Sequence, residues 1–242
     1  PTSSRRESAC LSSLKGDELL EYLKWQREYH LIRRSDGLNI DLHCGIVPGS
    51  FAFGLEHNAL WSDVQNVKIA GRDMPQLSPE SMPLVLCANG TKDYWSELDR
   101  VADVAAVITK FSELDWELVL DRAEQMSIRR ALLLALELSH SLLSEPIPSI
   151  VLRQIESDRA LPMLSAKIRR RWLNCDGRRA GADSILFHLH IRERWTDRVR
   201  YLLHQFVPTV GDRAAAPLPE QVSFLHYFVR PVRLVGKFVT KN

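Results

Sequence analysis

Absences narrow this 242-residue chain first. It has no uninterrupted apolar stretch near the roughly 20 residues that a membrane-crossing helix requires, so no membrane contact is expected. Its first residues, Pro1-Thr2-Ser3-Ser4-Arg5-Arg6, show no hydrophobic core of a secretory leader, and a cytoplasmic location is the expectation. The four cysteines, Cys10, Cys44, Cys87 and Cys175, lie far apart, without the paired spacing of zinc sites or redox dithiols; they read as reduced, partly buried thiols. The 11 glycines form no loop able to cradle phosphates. No Ser/His/Asp or Cys/His signature, internal repeat or low-complexity tract occurs either.

What is present is ordinary globular composition, 45% hydrophobic and 26% charged, long enough for one sizeable core or two modest ones. The net charge of +2 hides an asymmetry: residues 151–242 hold 17 Lys and Arg against 8 Asp and Glu, a surplus of +9, while residues 1–150 carry −7. Such halves suit mutual docking or an anionic partner, although arginines among apolar residues at helical spacing also describe solvated helix faces.

Residues 1–16 are a loose polar lead-in, after which Asp17 caps a helix over residues 18–27. Tyr29 to Arg34 and Leu38 to Ile46 form two strands joined through Ser35-Asp36-Gly37, where glycine supplies the positive φ of a tight turn. Alternation predicts that Leu38, Ile40 and Leu42 pack on one face and that Asn39, Asp41 and His43 occupy the other. A short amphipathic segment from Phe51 to Val64 and an extended pair, Val67 to Ile69 and Met74 to Leu77 around Gly71, complete a small α/β piece over residues 17–77. From Ser78-Pro79 onward the period is helical. Helices are expected over Pro79–Asn89, Trp95–Phe111, from Asp115 to Met126, over Ile128–Leu143 as the central member, then Ser149–Glu156, Leu161–Leu173 and Ile185–Phe206. Pro208 to Pro219 reads as a linker, and Gln221 to Val239 as a last helix broken at Pro231. The fold class is α+β, mostly α: a small, incomplete sheet piece followed by a helical domain, residues 78–242.

Several groups have the residue types that chemistry needs. Asp41 and His43, two apart on a strand, share a face and are either two ligands of a metal site or a hydrogen-bonded pair at a strand end. Gly49-Ser50 ahead of Asp63-Val64-Gln65 has the outline of a Gly-Ser loop before an Asp-x-Asp strand, but Gln65 stands where the second carboxylate is needed. His188 and His190 point to different helix faces. Arg169-Arg170-Arg171-Trp172 and Arg192-Glu193-Arg194-Trp195 mix guanidinium groups with indoles, as nucleic-acid-binding surfaces do and as packed amphipathic helices also do.

A longer pattern runs through the chain. Asn39-Ile40-Asp41-Leu42-His43 and the Trp61 segment come first, then Leu77-Ser78-Pro79-Glu80 leading to Leu86-Cys87-Ala88-Asn89-Gly90-Thr91-Lys92-Asp93-Tyr94-Trp95. Leu98 to Ile108 around Asp103, Leu114-Asp115-Trp116, the leucine-rich helix, and Tyr227-Phe228-Val229-Arg230-Pro231-Val232-Arg233-Leu234 follow. In this order they resemble an uncharacterised bacterial nucleotidyltransferase family of the polymerase-β-like superfamily. The resemblance implies transfer of a nucleoside monophosphate from a nucleoside triphosphate to an unknown acceptor hydroxyl, with Mg²⁺ as cofactor. It places the family's Leu-Lys-Gly segment at Leu14-Lys15-Gly16, but the Asp-x-Asp strand that follows there, source of two metal-binding carboxylates, is not in this chain. Asp41 matches the third carboxylate, which activates the acceptor hydroxyl or completes the metal site, and is the one catalytic and metal-site candidate. The family's Cys-x-His-x-x-x-His-x-Trp pattern appears as Cys87, Asn89, Asp93 and Trp95, both histidines replaced. The expectation is a truncated copy or C-terminal portion, inactive alone. The alternative is a non-catalytic helical interaction module whose basic C-terminal half binds an acidic partner or nucleic acid.

Overall fold

The computed structural model describes residues 27–33, 35–43, 45–51, 53, 60, 63–173, 181–207, 225 and 227. The expected helix over residues 18–27 lies outside them apart from Arg27. The linker, the terminal helix apart from Leu225 and Tyr227, and most of the Phe51–Val64 segment also lie outside. The chain divides into two compact units, one of residues 1–52 with 199–242, the other of residues 53–198.

Among the described residues the fold is α+β and mostly helical, as expected, with two separate two-stranded antiparallel sheets. In the first unit β1 (Glu28–Ile32) pairs with β2 (Asn39–His43). Both strands are shorter than the sequence suggests, and the predicted apolar face is not covered. Leu31, Leu38, Ile40 and Leu42 are 45%, 46%, 52% and 55% exposed. Every residue of β2 is exposed, and among the described residues its one sheet partner is β1, so the expected packing of Leu38, Ile40 and Leu42 is not seen there.

The second unit holds β3 (Val64–Ile69), β4 (Arg72–Leu77) and α1 (Met82–Lys92), followed by α2 (Asp99–Lys110), α3 (Trp116–Gln125), α4 (Arg129–Leu143), α5 (Ser149–Ser157), α6 (Leu161–Leu173) and α7 (Gly181–Ile191). A last helix, α8 (Trp195–Gln205), begins in this unit and ends in the first. β3 and β4 turn at Ala70 and Gly71, both with positive φ, as a two-residue hairpin requires. α1 begins later than expected. Ser78 and Pro79 form a preceding turn, with the Ser81 and Met82 N–H groups donating to the Ser78 carbonyl, while Pro83 takes the first helical turn, where its missing N–H costs nothing.

α4 is central as predicted: Ala131 to Leu136, Leu138 and Ser139 are all buried, and it packs against α1, α2, α3, α5 and α6. Asp115 caps α3 as predicted, its carboxylate accepting from the Leu118 N–H at 3.0 Å, and Trp116, Val119, Leu120, Ala123 and Met126 form the buried stripe. The expected helix Ile185–Phe206 is broken between α7 and α8. Arg192 turns inward there, and Arg130 donates to the His190 and Arg192 carbonyls, satisfying the end of α7 from outside the helix.

Candidate functional site

Asp41 sits in the middle of β2, exposed, with its backbone in register opposite His30. Glu28 is in register with His43, and alternation along β2 puts Asp41 on the same face as that pair. The return between the strands is well specified. Arg33 N–H donates to the Leu38 carbonyl at 2.8 Å, and Gly37, at φ +73, donates to the Arg33 carbonyl at 2.9 Å. The Arg33 guanidinium grips Asp36 through two nitrogens, one at 2.8 Å. That pairing, helped by the Leu38 N–H at 3.2 Å, holds the Asp36 carboxyl below the usual carboxylate range. The turn therefore fixes the register that presents Asp41. No group of three His, Cys, Asp or Glu residues able to hold a metal ion occurs among the described residues.

The other expected groups are drawn into structural work in the second unit, and Gly49–Phe51 forms a 3-10 turn in the first. Asp63, just ahead of β3, meets Arg122 of α3 at 2.7 Å, and Arg122 also donates to the Ser81 hydroxyl at 3.0 Å. Hydrogen bonds from Ser78 and then Arg122 hold the Asp63 carboxyl below its ordinary range. Asp63 thus ties the β3–β4 ribbon to the helices. Asp103 is an exposed residue on α2.

The segment from Cys87 to Trp95 is a packing corner. The Cys87 thiol is buried, donates to the Leu84 carbonyl at 3.1 Å, and is pushed up in pKa by burial. Asn89 is half-buried, and Asp93 pairs with Arg100 at 3.2 Å. Tyr94 and Trp95 both adopt left-handed backbone, φ +53 and +49, a conformation that costs on the order of 1–3 kcal/mol each outside glycine. Surrounding contacts hold them there. Arg171 donates to the Tyr94 carbonyl at 3.1 Å and lies 4.6 Å over its ring, and the Trp172 indole donates to the Trp95 carbonyl at 2.8 Å. Phe187 stacks on Tyr94 at 4.3 Å, and Trp95 is fully buried against Gly90.

The two Arg/Trp clusters are partly drawn into the fold. Arg169 bonds Glu137 at 2.8 Å, Ser165 at 3.2 Å and the Ser141 hydroxyl, leaving Arg170 exposed. Arg192 is buried, its guanidinium 4.8 Å over the Phe53 ring and bonded to the His188 carbonyl. Glu193 accepts from Arg129 at 3.1 Å, and Arg194 faces Glu124 at 3.6 Å. Trp195 is 72% exposed. His188 is buried and its pKa is pushed down to about 3, by burial first and Arg192 second, so it is neutral; His190 bonds the Leu186 carbonyl through Nδ1 at 2.7 Å.

Sequence reasoning found the strand and turn around Asp41. It missed the buried Arg192 and the clasp of Arg130 with Asp158 at 2.8 Å, because arginines at helical spacing look alike whether they face solvent or a neighbouring helix. No helix among the described residues is long and apolar enough to cross a membrane.

A family model described as "Uncharacterised nucleotidyltransferase" matches residues 12–144, a stretch that includes the Asp41 hairpin, the segment from Cys87 to Trp95 and all of α4. No curated protein and no solved structure shows a match.

Proposed function

The chain belongs to this uncharacterised nucleotidyltransferase family, and from that premise we propose that its chemistry is of the polymerase-β-like kind. A nucleoside monophosphate passes from a nucleoside triphosphate to an acceptor hydroxyl, pyrophosphate leaves, and Asp41 holds the place of the third carboxylate. The observation that carries this reading is the matched β1–β2 hairpin itself, which presents an exposed carboxylate at mid-strand.

The donor set among the described residues does not fit Mg²⁺ with a triphosphate. That group needs converging carboxylates at near-octahedral geometry, and the hairpin contributes no metal-holding trio. We propose that this chain, whose sequence holds no Asp-x-Asp pair, does not by itself transfer nucleotides, with Asp41 at the position of the third carboxylate.

The test is incubation of the chain with Mg²⁺ and each α-labelled nucleoside triphosphate, alongside Asp41→Asn. No product dependent on Asp41 is expected; Asp41-dependent labelling would overturn the inactivity. The coding sequence on the 5′ side of Pro1, read for an Asp-x-Asp strand, tests the rest. A chain extended by such a strand is expected to transfer label and to lose at least about a hundredfold in rate on Asp41→Asn. Unchanged transfer by that variant would remove Asp41 from the reaction.

A further inference from the structure

The β3–β4 ribbon has two outer edges of unequal kind. Its two-residue turn at Ala70 and Gly71 makes Ile69 and Arg72 a hydrogen-bonded pair, and bonded pairs alternate from there down the ladder. At the other end the Ser78 N–H, donating to the Asp63 carbonyl at 3.1 Å, keeps the same phase. Val67 with Met74 and Gln65 with Gln76 are therefore bonded within the ribbon, while Val64, Asn66 and Lys68 aim their N–H and C=O groups outward from β3. Asp73, Pro75 and Leu77 face outward from β4 in the same way. Among the described residues no third strand meets either edge. On β4 the middle outward position is Pro75, which has no N–H, so a strand added there loses its central donor. The β3 edge is complete, each outward residue having both donor and acceptor, on a strand exposed at every residue but Val67.

We propose that two copies of this chain pair antiparallel through β3, about a twofold axis at Asn66. In that register Asn66 of one copy faces Asn66 of the other, and each Val64 faces the other copy's Lys68. Every facing pair then exchanges both of its backbone hydrogen bonds, and the outward groups of both strands are satisfied at once. The pattern of β3 selects a second copy as the occupant, because outward positions symmetric about Asn66 make this edge its own complement. Lys68 is the only charge on the strand, and the register sets it opposite Val64, with the two Lys68 positions about 14 Å apart along the strand and beyond the screening length of about 8 Å. On the other face each copy brings Val67, Ile69 and Met74, the last two 60% and 46% exposed, and the two Val67 side chains become diagonal neighbours across the seam. Both outer edges of the resulting four-stranded sheet are β4, so Pro75 ends the assembly at two chains. The inference does not depend on nucleotidyl transfer.

The experiment is sedimentation velocity of the full chain over a concentration series. A monomer–dimer equilibrium is expected, with a dissociation constant on the order of 100 μM, in keeping with a small interface. Asn66→Pro removes the central outward N–H and no bond of the ribbon itself, and is expected to weaken the dimer at least about tenfold with the helical circular dichroism unchanged. Val64→Glu, facing Lys68 of the other copy, is expected to tighten the dimer about threefold, and Val64→Lys to loosen it by a similar factor. These two variants keep the backbone intact and report on the register even if proline disturbs the ribbon. Under mild oxidation Asn66→Cys is expected to cross-link to itself above the wild-type background, and Lys68→Cys is not. A chain monomeric up to about 1 mM, a dimer indifferent to Asn66→Pro, equal effects of glutamate and lysine at position 64, or cross-linking of Lys68→Cys as fast as that of Asn66→Cys would each overturn the proposal.

Discussion

The hairpin that carries Asp41 and the helical body that carries the rest of the family-matched segment handle apolar surface in opposite ways. In β1–β2 the apolar residues alternate correctly yet stand about half exposed, and the described bonds of its turn, Arg33 with Asp36 and Leu38, are local. In the helical body α4 is buried along most of its length, and even charged groups are pulled inside, Arg192 over Phe53 and Arg130 onto Asp158. Among the described residues the helices of the second unit have several packed neighbours, while the carboxylate suited to the family's chemistry rides on a strand whose described sheet partner is β1. A hairpin of this kind supplies a correctly shaped piece of a site; a finished site needs further cover and further ligands.

That contrast is broken most severely from the side of the helices. Leu134 is fully buried in α4, and Leu134→Ala is expected to cost about 2–5 kcal/mol, read as a shift of the denaturation midpoint. A loss below 1 kcal/mol would mean that the helical body is as loosely packed as the hairpin. Gly90→Ala comes next. Alanine improves helix propensity by about 1 kcal/mol, but a Cβ at this position falls 2.7 Å from the ring of Trp95, which is buried and pinned through its own carbonyl by Trp172. Overpacking of this kind costs about 1–3 kcal/mol, so the net effect is expected to be destabilising. Trp95→Phe in the same chain, leaving a smaller ring, is expected to recover part of it; a Gly90→Ala chain more stable than the wild type would show that the corner yields easily.

The third effect is set by pH. His188 is held neutral by burial, with a folded value of about 3 against an ordinary 6.5. The unfolded chain takes up a proton below 6.5 that the folded chain refuses, so this group's contribution to stability is intact above pH 6.5 and is lost as pH falls from there toward 3. The slope is at most about 1.4 kcal/mol per pH unit. His188→Leu is expected to flatten that part of the curve, so that wild type and variant converge or cross between pH 6.5 and 5. Parallel curves would mean that His188 titrates normally in the folded chain.

Sequence reasoning succeeded where the determinant is local. The Asp36-Gly37 turn, the Asp115 cap and the period of α4 each depend on residues within a few positions, and all three appear as expected. It failed where distant partners decide. Nothing near Arg192 in sequence says that its side chain turns inward over Phe53, or that Arg130 closes the end of α7, so the break between α7 and α8 was illegible. Trp95 reads as the buried start of a helix, and it is buried, but in left-handed backbone held by Trp172 from α6, so α2 starts only at Asp99. For Asp41 the strand itself was legible, and its backbone lies in register opposite His30 as the second strand of the hairpin.

The smallest expected effect is the most telling about the hairpin. Ile40 is 52% exposed on the apolar face of β1–β2, in register with Leu31. Threonine keeps the β-branch and the strand propensity of isoleucine, so Ile40→Thr changes little except how much apolar surface is withdrawn from water. With the face open to solvent, the substitution is expected to alter stability by less than about 0.5 kcal/mol, the ordinary range for an exposed position. If some other segment or molecule covers this face in solution, the methyl groups lost are buried ones and a polar hydroxyl is buried in their place, which raises the cost to roughly 1–3 kcal/mol. Denaturation of the two chains in urea separates these cases. A large loss would place Ile40 in a core and Asp41 on the opposite side of a sheet with more than two strands, the architecture that a working carboxylate site would need; a small loss would leave Asp41 on an isolated ribbon, in keeping with a chain that does not transfer nucleotides alone.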